Sequence, residues 1–106
     1  MVKENTPTFE IYKALGDATR FKIFLTLAQC REKMCVNAIS AKLKMSQPAV
    51  SQHLKILKTA GIALSLREGH RIHYTIDRDF VRAFMQKVIG LVQKPEGAAK
   101  DAPEKC

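Results

Sequence analysis

The chain has 106 residues, 46% of them hydrophobic, with 18 Lys and Arg against 10 Asp and Glu for a formal net charge of +8. That length limits it to one domain with a thin core, which dimerisation would help, and the apolar content excludes a fully disordered chain. The charge favours an anionic partner, nucleic acid first and an anionic membrane surface second. No apolar run approaches the ~20 residues of a membrane span. Residues 1–8 are polar and read as an N-terminal arm without a targeting segment, so the cytoplasm is the expected location and no membrane partner is expected.

Phe9, Ile11, Tyr12 and Leu15 outline a short first helix broken at Gly16. Asp17 then caps a second helix, from Ala18 to about Cys30, with Phe21, Phe24, Leu25, Leu27 and Ala28 as a broad apolar stripe. Arg31, Glu32 and Lys33 form a charged turn, and a third helix runs from about Val36 to Leu43. Only Lys44 and Met45 separate it from the stretch Ser46 to Gly61, which reads as a capped amphipathic helix. Ser46 can accept a hydrogen bond from the first-turn amides, and Pro48 loses none there because its missing N–H falls among the orphan positions. Gly61 supplies the left-handed residue that ends the helix. Val50, Leu54 and Leu57 share one side, so they are expected in the core, and Gln47, Ser51, Gln52, Lys55 and Lys58 share the other. A helix face of Gln, Ser and Lys with little acid suits base edges and phosphates, and two helices this close, the second with a polar outer face, make a helix-turn-helix.

After Gly61 the period changes. Ile62, Leu64 and Leu66 alternate, residues 67–70 turn the chain, and Ile72, Tyr74 and Ile76 alternate back, which predicts a hairpin with matching apolar faces and a basic tip. Asp79 begins a last helix in which Phe80, Phe84, Val88 and Leu91 recur, flanked by Val81, Met85, Ile89 and Val92, a stripe too wide for one small core. Pro95 ends it, and residues 95–106 read as a flexible polar tail. The predicted fold is mostly α with a β-hairpin wing, a winged helix-turn-helix domain over residues 9–94.

At this level of detail the chain resembles the ArsR/SmtB family of dimeric repressors. Four stretches carry the likeness: Ala14 to Arg20 with Ile23, the Ser46 to Leu54 segment with Ser51 and His53, the Ala60-Gly61-Ile62 exit, and Arg67-Glu68-Gly69 through Tyr74. The resemblance implies a homodimer through the first and last helices, with Phe9, Tyr12, Phe80, Phe84, Val88 and Leu91 as interface candidates. Packing of those residues on the monomer's own helices is the competing reading. A two-fold dimer presents two recognition helices to double-stranded DNA, so the expected operator is an inverted repeat with half-sites about one helical turn apart. Gln47, Ser51 and Gln52 are assigned to bases, Lys44, Ser46, Lys55 and Lys58 to phosphates, and Arg67, His70 and Arg71 to the flanking groove or backbone. His53 belongs to the same DNA-binding set, with hydrogen bonding or packing at the helix's inward edge as its other role. His73 is expected to point outward.

The family's zinc-type site uses acidic and His ligands on the last helix, and residues 80–94 contain no His, Cys, Asp or Glu. The family's arsenic motif, Cys-Val-Cys, is matched at Cys35 but carries Asn37 in place of the second thiol. Trivalent arsenic or antimony prefers three thiolates, so Cys30 and Cys106 are the candidates to complete a site with Cys35. Thiol oxidation or bridging by sulfur is a second reading, with Arg31, Lys33 and a helix N-terminus favouring the thiolate. In a third, Cys30 is simply buried. No constitutive cofactor is expected and no catalytic constellation is visible, so the expected function is a repressor released from DNA by an effector at thiols. The alternative is a repressor or architectural DNA-binding protein without one.

Overall fold

A computed structural model describes the backbone of residues 2–93 and the side chains of residues 9–93. The elements run α1 (Val2–Leu15), α2 (Ala18–Ala28), β1 (Met34–Cys35), α3 (Val36–Leu43), α4 (Gln47–Thr59), β2 (Ala63–Glu68), β3 (Arg71–Ile76) and α5 (Arg78–Val92). Helix α1 therefore begins before Phe9 and takes in most of the expected arm. The expected tail, 95–106, lies outside the described residues.

Local hydrogen bonding sets most of the helix ends. The Asp17 carboxylate accepts from the Arg20 amide at 2.9 Å, and Ser46 Oγ accepts from the Ala49 amide at 3.3 Å. Helix α5 starts one cap earlier than the sequence suggested, because Asp77 rather than Asp79 accepts from the Phe80 amide, at 3.1 Å. Lys44 ends α3 in the left-handed region at φ 55, a conformation glycine adopts more readily. Gly61 ends the α4 exit at φ 88.

The core gathers one apolar face from each element: Ile11 and Ala14 of α1, Ile23, Phe24 and Leu27 of α2, Ile39 of α3, Val50, Leu54 and Leu57 of α4, with Ile62, Ala63, Ile76 and Phe84. Burial of Val50, Leu54 and Leu57 follows the helical spacing of the sequence.

The wing differs from the expected hairpin in two ways. It has a third strand, in the order β1-β3-β2, with Met34 opposite Tyr74 and Cys35 opposite His73. Its faces are also exchanged along β2. Ala63 pairs with Ile76, Ser65 with Tyr74 and Arg67 with Ile72, which puts Leu64 and Leu66 on the face of Thr75 and His73. Leu64 and Leu66 are exposed, while Ile62 and Ala63 are both buried. Ile62 belongs to the helix exit, where its N–H donates to Leu57 O and its carbonyl accepts from Asp77 N. The alternation starts afresh at Ala63, one residue out of phase with the pattern read from Ile62.

The expected interface set also divides. Phe84 is buried in the chain's own core, and Phe80 and Val88 pack against that core. Phe9, Tyr12 and Leu91 remain largely exposed, as do Ile89 and Val92, about one turn apart on α5. Tyr12 meets Phe84 edge-on at 5.5 Å between ring centroids, joining α1 to α5 within one chain.

Candidate nucleic-acid interface

Helix α4 is held from behind and left open in front. Its inward residues are fully buried, and α3 packs across it through a turn in which Ser40 Oγ donates to the Met45 carbonyl. Gln47, Ser51, Gln52, Lys55 and Lys58 are all exposed, as are Ser46 and Lys44 at the helix entrance. No acidic residue lies in α4, so the face offers amide and hydroxyl groups flanked by cations. That combination matches base-edge and phosphate chemistry together. At the wing tip, a two-residue turn of Gly69 and His70 leaves Arg67, His70 and Arg71 exposed.

His53 does not join that face. Its ring is half-buried, and Nδ1 lies 3.4 Å from the Arg20 guanidinium. Arg20 Nε donates to the Ala14 carbonyl at 2.6 Å, so one side chain ties the C-terminus of α1 to α4. The guanidinium is always charged, so the histidine nitrogen beside it acts as the acceptor. The inward location of His53 was legible from its place on the helix wheel; the Arg20 contact, spanning 33 residues of chain, was not.

The cysteines are separated. Cys30 lines a small cleft with Thr26, Gln29, Met34 and Lys42, and its carbonyl accepts from Arg78 of α5 at 2.9 Å. Cys35 lines another cleft with Asn37, Gln47, Ser51, His70 and Arg71, between the start of α3, the exposed face of α4 and the wing. Both are half-buried free thiols, and Cys106 lies outside the described residues. Among the described residues no three His, Cys, Asp or Glu side chains converge on a point that could hold a metal ion. Cys35 occupies the cap position of α3. The Ala38 amide at that helix start holds its thiol below the usual range, against an opposing effect of burial, with the Asn37 amide and Arg71 adding to the lowering.

His73 is less outward than expected. Nδ1 is buried without a hydrogen-bond partner, and Glu68 Oε1 stands 3.6 Å away. Glu68 also pairs with Lys33 at 3.1 Å, across the sheet from the charged turn. The sequence offered no sign of this grouping, because it depends on β1 joining β3.

Residues 17–65, from the cap of α2 into β2, match the family described as bacterial regulatory protein, arsR family. An HTH-type transcriptional regulator of Methanocaldococcus jannaschii is 44% identical over 79 residues, covering 74% of this chain and 88% of that protein. The chain belongs to the ArsR family. The arsenical resistance operon repressor of Escherichia coli is 34% identical over 80 residues, covering 76% of this chain and 67% of the repressor. Among solved structures, a homodimeric winged helix-turn-helix DNA-binding domain from Mycobacterium bovis superposes with a TM-score of 0.71 at 30% identity, over 84% of this chain and 82% of that one. An ArsR-like regulator from Rhodococcus shares the fold at a TM-score of 0.75 and 22% identity, over 93% of this chain and 87% of the other. The protein is thus a winged helix-turn-helix member of a family of DNA-binding transcriptional regulators. No helix among the described residues is long and apolar enough to cross a membrane.

Proposed function

We propose that the protein is a homodimeric repressor of an inverted-repeat operator, released by an effector that acts at Cys35. The observation that carries this reading is the shared cleft of Cys35 with Gln47, Ser51, His70 and Arg71. A group bound to that sulfur occupies space between the recognition face and the wing, where both must reach the duplex. The exposed Phe9, Tyr12, Ile89, Leu91 and Val92 supply the apolar surface for a dimer through α1 and α5. In that dimer two α4 helices must dock at once, so a shift of either by a few ångströms loses the match to half-site spacing. Coupling of about 1–3 kcal/mol suffices for such a switch.

Trivalent arsenic or antimony is the first effector. Each thiolate displaces one oxygen ligand of the metalloid, the thiol proton leaving with that oxygen as water. Cys35 anchors the metalloid, and Cys30 and Cys106 are the further thiols available. Support comes from the soft, thiolate-favouring environment of Cys35 and from the kinship with a repressor named for arsenical resistance. The second reading is persulfide or oxidative modification of Cys35 alone, and the separation of Cys30 from Cys35 into different clefts favours it.

The test is binding of reduced protein to a duplex selected from a random pool, titrated with arsenite and separately with an organic persulfide, for the native chain and Cys35→Ser. Release by arsenite that vanishes in the variant is the expected result. Release by persulfide alone moves the protein to the second reading. A tight, sequence-specific complex that ignores both reagents refutes a thiol effector.

A further inference from the structure

A cavity of about 380 Å³ opens where α1, α2 and α4 meet, away from both cysteines. Its apolar surface comes from Ala14, Ile56 and Ala60, and its rim carries the cations Lys13, Arg20 and Lys55. The volume lies within the ~300–1,000 Å³ typical of small-molecule sites, and an apolar body with a few polar groups is their usual composition. Ile56 leaves 39% of its surface exposed there, on a helix whose other large aliphatic residues are fully buried. Among the described lining residues Glu10 is the one acid against three cations, so the lining keeps an excess of positive charge even though Asp17 stands near Arg20.

We infer that this cavity binds a small organic anion, a carboxylate on a compact apolar body, as an effector distinct from any thiol reagent. The carboxylate meets Arg20 and Lys55, and the apolar body covers Ile56 and Ala60. The Arg20 fork is held at the cavity wall, with Nε donating to the Ala14 carbonyl at 2.6 Å and a terminal nitrogen to the Lys13 carbonyl at 3.4 Å, and its two terminal nitrogens each keep an N–H for a carboxylate. Lys13 at the rim completes a cationic mouth that attracts anions before contact.

Filling the cavity has a consequence for DNA. Lys55 is on the exposed face assigned to phosphates, so pairing it with a carboxylate removes a cation from the duplex contact. Arg20 also touches His53 on α4 at 3.4 Å, and a bound carboxylate competes for that guanidinium. Both effects weaken operator binding.

The experiment is a titration of the full isotope-labelled chain with hexanoate and benzoate, followed by amide shifts, with 1-hexanol and inorganic sulfate as controls. Saturable shifts of Lys13, Ala14 and residues 55–60 by the carboxylates, at least tenfold tighter than for either control, are expected. Ile56→Glu abolishes them, Lys13→Gln weakens binding about fivefold and Glu10→Gln tightens it. Unchanged shifts elsewhere show that each variant is folded. Equal binding of sulfate reduces the site to a general anion patch, equal binding of hexanol removes the role of charge, and no saturable shift at these residues refutes the cavity outright. Cys35→Ser leaves the carboxylate titration unchanged, so failure of the thiol reading and failure of this one are distinguishable.

Discussion

Substituting Gly61 by Ala tests how the recognition helix is joined to the wing. Gly61 has φ 88, and a Cβ built there would stand 3.0 Å from Phe80 Cζ and 3.1 Å from Cε2. Gly69, at the wing tip, has φ 67 with nothing within 4 Å of such a Cβ. Both substitutions carry the backbone cost of a left-handed alanine, about 1–2 kcal/mol. Only Gly61→Ala must also displace a packed ring, an overpacking cost of about 1–3 kcal/mol. The expected losses are therefore about 2–5 kcal/mol for Gly61→Ala and about 1–2 kcal/mol for Gly69→Ala. Urea unfolding at a fixed protein concentration measures both, the fixed concentration being needed because the proposed dimerisation would contribute to apparent stability. Phe80→Leu combined with Gly61→Ala isolates the contact, since the shortened side chain relieves the crowding and the two changes then cost less than their sum. Equal losses for the two glycine variants, or strict additivity of the pair, would refute the claim that α5 braces the helix exit through Phe80.

Three further outcomes are expected. Gln52→Ala costs about 1–3 kcal/mol on the selected duplex and relaxes base preference at one position, whereas Lys58→Gln weakens binding to all sequences and lowers the salt slope by about 1; competition and salt titrations separate the two. Ile89→Asp with Leu91→Asp abolishes dimerisation in sedimentation and with it tight operator binding, while the monomer's circular dichroism is retained, because neither side chain is in the core. The Cys35 thiol is held below its ordinary range, so its alkylation rate rises at lower pH than for a free cysteine, and Arg71→Gln moves the profile upward. The same shift has a stability sign: the unfolded chain keeps the proton longer, so stability rises with pH between the folded and unfolded values and is lost as pH falls through the folded one. A Cys35 profile coincident with that of free cysteine contradicts both statements.

Several features of the protein follow from residues close together in the chain. The caps Asp17 and Ser46, the left-handed Gly61 and the helical spacing of Val50, Leu54 and Leu57 are settled within a turn or two, because the partners of the orphan amides are neighbours in sequence. The outward face of α4 follows from the same wheel, which is why the exposed set was legible apart from its one inward member, His53. Longer-range pairing decided the rest. A two-residue strand such as Met34–Cys35 has no periodicity to read and exists only because β3 offers its edge. The phase of the wing was set by Ile62, which the helix exit recruits, so that Leu64 and Leu66 turn outward beside His73. The apolar stripe of α5 announced more surface than one core covers. Only packing could divide it, placing Phe84 inside and leaving Ile89, Leu91 and Val92 exposed, since periodicity records which residues share a face but not what lies against it.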